Sequence, residues 1–228
     1  MYNFCKILII GAGNIGSRHL QGILKSSHKL NITIVDPKIS SLKLCKTRVK
    51  EIKFGNINSK IIYRKTIPYG EFFKISIIAT NSNVRSNVTK ELLSKCSTKC
   101  IIFEKILFQK NLDYKNIGNL LKKKKVKAWV NCPRRIFSIY KNIKKTLNSN
   151  FDIEMSIEGS SWGMACNSIH FIDLFSYLVG DVDLILENAN LINKISYSKR
   201  DKKFYEVNGV LNFRIKNHLL KISCENKN

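Results

Sequence analysis

An apolar run, Ile7-Leu8-Ile9-Ile10, breaks into Gly11-Ala12-Gly13-Asn14-Ile15-Gly16, and a second apolar run, Ile32-Thr33-Ile34-Val35, ends in the carboxylate of Asp36. Four consecutive Ile and Leu residues without polar alternation fit a strand buried on both faces. The first glycine of such a turn permits a sharp reversal, the second lets backbone approach a pyrophosphate, and the third lets the following helix pack against the strand. Glycine spacing alone recurs in unrelated α/β turns, and the second run ending in Asp36 supplies the missing context. Gly11, Gly13 and Gly16 therefore read as cofactor-binding. Asn14 and Ile15 join them at the start of a helix whose unpaired N–H groups and positive dipole end face an anion. Ile15, Leu20, Ile23 and Leu24 give that helix an apolar face. Asp36 falls where a ribose diol needs an acceptor, which favours NAD over NADP because a 2′-phosphate would meet a carboxylate.

The strand-like and helix-like alternation continues. Strands are expected at residues 61–63, 73–80, 100–103 and 126–130, with helices at 40–50, 84–94 and 112–122. Six such steps predict an α/β Rossmann domain, a doubly wound parallel sheet covered by helices, over residues 1–130. Ligands of open α/β sheets lie beyond the carboxyl ends of the strands. Thr80 and Asn81, closing the 73–80 run, and Glu104 and Lys105, closing the 100–103 run, share that rim with the glycine turn. Beyond Pro133 the texture changes to a helix at 134–147, a strand at 151–157, a Gly/Ser/Trp loop, a helix at 167–178 and then strand-like runs. Residues 131–228 are expected to form an α+β domain on an open antiparallel sheet.

The net charge of +24 raises a nucleic-acid reading, yet Lys supplies 32 of the 40 basic residues and is scattered through helices and loops. That distribution resembles a compositional bias more than a phosphate-binding footprint, so no nucleic-acid partner is expected. Seven cysteines form no CxxC pair and no Cys/His zinc spacing, so no metal site is expected. With no signal peptide and no apolar run approaching the ~18 residues of a membrane span, the expectation is a cytoplasmic protein without a membrane partner.

Four pieces in order, Gly11–Gly16 with His19, Ile78-Ala79-Thr80 with its polar turn, Phe103-Glu104-Lys105, and His170-Phe171-Ile172-Asp173 leading to Leu178-Val179-Gly180, span nearly the whole chain. Together they resemble the glucose-fructose oxidoreductase / inositol dehydrogenase family of NAD(P)-dependent sugar oxidoreductases. The resemblance implies hydride transfer between a nicotinamide and a sugar hydroxyl or ketone, with Lys105 beside the reacting hydroxyl. An ammonium there stabilises a developing alkoxide. His170 is the acid/base partner it implies, since an imidazole titrates near working pH. Asp173, one turn further on the same helix, could orient that imidazole. The stretch Ser161-Trp162-Gly163-Met164-Ala165-Cys166-Asn167 resembles a subgroup linked to bacterial surface-sugar biosynthesis. This implies Trp162, Asn167 and His170 as substrate contacts and a nucleotide-linked or amino sugar as substrate.

Two departures bear on activity. Ile106 stands where the family has a proline, and Cys166 stands where the family commonly has an aspartate four residues before the histidine. The second opens an alternative, a catalytically weakened dinucleotide-binding protein without turnover. The family also continues with further strands, so the second domain is expected to be incomplete, with an unpaired, association-prone sheet edge. A complete second domain would imply a homo-oligomer.

Overall fold

The computed structural model describes residues 5–52, 59–147, 151–192, 195–198 and 201–225. The chain divides into two units, Met1–Asn131 and Cys132–Asn228.

Unit 1 runs β1 (Cys5–Ile10), α1 (Asn14–Leu24), β2 (Leu30–Val35), α2 (Ile39–Lys50), β3 (Lys60–Arg64), β4 (Phe72–Ile78), α3 (Ser82–Lys95), β5 (Ser97–Phe103), α4 (Asn111–Lys123) and β6 (Lys127–Val130). The sheet order is β3-β2-β1-β4-β5-β6, and every neighbouring pair is parallel. The sequence order reverses between β1 and β4, and in doubly wound sheets that crevice receives the ligand.

Successive side chains of a strand point to opposite faces, so β1 serves two cores at once. Ile7 and Ile9 pack with Leu20, Leu24, Leu42 and Cys45 from α1 and α2. Leu8 and Ile10 pack with Leu92, Leu93 and Ile117 from α3 and α4. Burial on both faces explains the unbroken Ile/Leu run that marked this strand in the sequence.

Unit 2 opens with a 3-10 turn, Pro133–Ile136, followed by α5 (Ser138–Thr146), β7 (Glu154–Ile157), α6 (Met164–Val179), β8 (Ile185–Leu191), β9 (Ser196–Ser198), β10 (Asp201–Glu206), β11 (Gly209–Ile215) and β12 (His218–Cys224). The single helix expected at 134–147 is split, because Phe137 is extended between the 3-10 turn and α5. The main sheet has the order β7-β12-β11-β8, and β9 pairs with β10 separately.

The expected antiparallel sheet is mixed. β11 is antiparallel to both β12 and β8, whereas β7 runs parallel to β12. Hairpin-connected strands pair antiparallel, while β7 reaches its neighbour only after a long excursion through α6 and the other strands. Met164 and Phe175 of α6 close over Phe213, Ile215, Leu220 and Ile222 of the sheet. β8 forms the far edge, and all seven of its residues are exposed.

Candidate functional site

The glycine turn is shaped by close approach. Gly11 has φ +97° and donates its N–H to Val35 O at 2.8 Å; a Cβ there would lie 2.9 Å from the Ala79 backbone. At Gly16 a Cβ would fall 1.7 Å from Gly11 O, so the helix can lie this near the strand only without a side chain. Gly13, the N-cap of α1, is the contrast: a Cβ there would meet nothing within 4 Å. The space in front of it leaves the backbone open to close approach, and Asn14 and Ile15 open the helix behind it.

Asp36 is buried, with Oδ2 accepting from Ala12 N at 2.8 Å and Oδ1 from Lys38 N at 2.8 Å. The carboxylate is thereby tied to the glycine turn itself. Each oxygen keeps a further lone pair for a ribose hydroxyl. Arg48 of α2 braces the same turn, donating to Asn14 O at 2.8 Å, Asn14 Oδ1 at 2.9 Å and Ser17 Oγ at 2.6 Å.

Two further loops leave the carboxyl ends of β4 and β5. Thr80 and Asn81 follow β4, and Asn81 is the N-cap of α3. The buried Thr80 Oγ1 has no hydrogen-bond partner among the described residues. Glu104 and Lys105 follow β5. Glu104 is 8% exposed, and its Oε1 lies 2.7 Å from His19 Nε2 and accepts from Asn131 Nδ2 at 2.7 Å. Burial raises its pKa, but the bonds from His19 and Asn131 and the nearby His19 charge outweigh burial and hold it below the ordinary carboxylate value. Lys105 is half-buried beside it, and the Lys105–Ile106 peptide is cis.

Sequence reasoning placed His19 inside the motif but gave it no role, and missed Asn131 and Arg85 altogether. Arg85 of α3 donates to the carbonyls of Glu104, Ile106, Leu107 and Thr80. No local signal marks it: in Ser82-Asn83-Val84-Arg85-Ser86-Asn87 an arginine reads as a solvated helix face.

In unit 2 the residues singled out cluster on and before α6. Trp162 donates Nε1 to Ser223 O at 3.1 Å and meets Phe171 edge-on at 5.6 Å between ring centroids. Asn167 Nδ2 donates to Trp162 O at 2.8 Å, fixing the loop onto the first turn of the helix. The Cys166 N–H donates to Glu206 Oε2 of β10 at 3.3 Å, so a carboxylate does stand at this helix end. His170 is half-buried in α6. The expectation that Asp173 orients His170 meets a strong competitor, because Arg135 engages Asp173 through Nε at 2.9 Å and Nη2 at 2.5 Å. A guanidinium fork matches a carboxylate in two parallel bonds, which a single imidazole cannot. Among the described residues no group of three or more His, Cys, Asp or Glu could hold a metal, and no helix is long and apolar enough to cross a membrane.

No family model and no curated protein matches the chain. Solved structures do. The chain is similar to the dehydrogenase MviM of Clostridium difficile, with 16% identity over 98% of this chain and 71% of that one at TM-score 0.70. The two share a fold. The WlbA (WbpB) dehydrogenase of Thermus thermophilus shares it, solved with NAD and alpha-ketoglutarate, at 14% identity over 97% of this chain and 73% of that one and TM-score 0.65. The same protein solved with NAD and UDP-GlcNAcA gives 16% identity over 97% and 74% at TM-score 0.64. The fold shared with these structures extends over both units of the chain.

Proposed function

We propose that the chain is an NAD-dependent oxidoreductase moving a hydride between a nicotinamide and a hydroxyl or ketone carbon of a sugar. The observation that carries this reading is the convergence of three loops, at Gly11–Gly16, Thr80–Asn81 and Glu104–Lys105, on the carboxyl ends of the adjacent strands β1, β4 and β5. The open space at Gly13 and the unpartnered Thr80 hydroxyl fit a dinucleotide lying along that rim.

A nicotinamide dinucleotide, when bound, supplies or accepts the hydride. The chain's residues do the rest. The amides at the start of α1, behind Gly13, hold the pyrophosphate, and Asp36 accepts from the ribose diol and repels a 2′-phosphate. The Lys105 ammonium stabilises the alkoxide as the carbinol proton leaves. His170 takes up or returns that proton. Trp162 and Asn167 frame the sugar, and Asp173, held by Arg135, steadies the helix that carries His170. The UDP-GlcNAcA complex of the Thermus thermophilus protein makes a nucleotide-linked sugar the first substrate to test.

The test has two steps. NADH fluorescence titration should show binding that saturates, and turnover should then appear with at least one nucleotide sugar. Lys105→Met and His170→Ala should each lower kcat by roughly 10²–10⁴-fold with NADH affinity retained. Binding without turnover across the whole panel would instead support a dinucleotide-binding protein without catalysis, which Cys166 favours. Failure to bind NADH or NADPH would overturn both.

A further inference from the structure

Arg85 is among the largest fully buried side chains, 2% exposed, and stands in α3, remote in sequence from the loop it serves. Burial lowers its pKa to about 10 against the opposing charges of Glu104 and Tyr114, so it stays protonated at neutral pH. An apolar side chain of similar volume would fill the same space without desolvating a charge, so packing alone does not account for it.

Its hydrogen bonds do. Nη1 donates to Glu104 O at 2.6 Å, to Leu107 O at 2.9 Å and to Ile106 O, and Nη2 donates to Thr80 O. Three of these carbonyls bracket Lys105, one before it and two after. The fourth closes the neighbouring strand end. One planar fork therefore ties the β4 loop to the β5 loop and fixes the backbone on both sides of the lysine.

We propose that Arg85 is the positioning residue for Lys105, bonding the carbonyls that flank it and that of Thr80, so that turnover depends on the guanidinium far more than cofactor affinity does. This rests on the assignment of Lys105 to the chemical step. The glycine turn and Asp36 lie outside the four carbonyls, so Arg85 reaches the proposed cofactor rim only through the Thr80 and Glu104 backbone, whereas Lys105 lies between the carbonyls that it bonds. Lysine cannot substitute, since an ammonium is a point donor on a flexible stem and cannot span carbonyls that two separate guanidinium nitrogens reach.

Arg85→Lys and Arg85→Gln test the assignment in the full chain. Arg85→Lys should lower NADH affinity by a few-fold at most and leave the sugar KM in place while kcat falls about 10²-fold, the scale on which small displacements of a reacting group act. Added guanidinium ion should restore part of the activity of Arg85→Gln. Hydrogen exchange read by mass spectrometry should accelerate about tenfold in residues 104–108 of either variant, with β1 and α1 unchanged. Wild-type kcat in Arg85→Lys, or NADH affinity falling in step with kcat, would overturn the proposal. So would unchanged exchange at residues 104–108, which is measured without any substrate. If the wild-type protein turns over no sugar, the assigned activity fails, and the exchange experiment still decides whether Arg85 holds the loop.

Discussion

His19 Nε2 lies 2.7 Å from Glu104 Oε1 across 85 residues of sequence, joining the helix that opens at the glycine turn to the strand end that carries Lys105. The glycine turn and the proposed catalytic loop are thus joined by a side-chain pair of low exposure on both sides.

That pair gives a pH dependence with a defined sign. Glu104 has a folded pKa held below its ordinary value near 4.5, so its contribution to stability is complete above that value and is lost as the pH falls through the lowered folded one. Glu104→Gln should cost about 1.5–3 kcal/mol at neutral pH, the range for hydrogen bonds to a charged group, and should flatten the acid limb. Urea unfolding of both proteins between neutral and acid pH reads this directly, and parallel acid limbs would refute it.

Two glycines of the turn should respond oppositely to the same methyl group. Gly16→Ala puts Cβ against Gly11 O, where backbone must move, and should destabilise unit 1 by about 3 kcal/mol or more. Gly13→Ala meets open space, so the fold should survive while the methyl occupies the approach to the pyrophosphate and NADH affinity falls. Thermal melts paired with NADH titration separate the two effects.

Asp36→Ala removes the acceptor for Ala12 N and Lys38 N and, on the proposed reading, for the ribose diol. NAD affinity should fall about tenfold, the equivalent of one hydrogen bond. Discrimination between NAD and NADP should narrow with it. An unchanged preference, measured by titration with both cofactors, would remove Asp36 from the assignment.

Asp173→Asn separates architecture from chemistry. Its Arg135 partner is 44% exposed, so loss of the pair should cost under about 1 kcal/mol. If Asp173 serves only α6, kcat should stay near the wild-type value. A pH–rate profile displaced in Asp173→Asn would instead tie this carboxylate to His170.

The Rossmann half was legible because burial on both faces writes itself into the sequence as unbroken apolar runs, and because Gly11 and Gly16 leave no alternative residue at their contacts. What escaped was every relationship made by a side chain across a long sequence gap. Arg85 has no apolar periodicity around it, and its partners are carbonyls, which no residue type announces. Asn131 is one of many asparagines in this chain. The parallel pairing of β7 with β12 escaped for a similar reason, since strand character at 154–157 says nothing of which neighbour the strand will choose. Arg135 beside Pro133 gave no hint of the carboxylate it engages 38 residues later.

Asn131 carries one more consequence. It is the last residue of unit 1, and its side chain is bonded to the carboxylate that precedes Lys105. A Rossmann fragment cut after residue 130, where the sequence suggests the boundary, would lose this bond and leave Glu104 with one partner fewer. Dissection of the chain, or grafting of its first half onto another second half, must keep the seam residue with the first unit for Glu104 to retain both its partners.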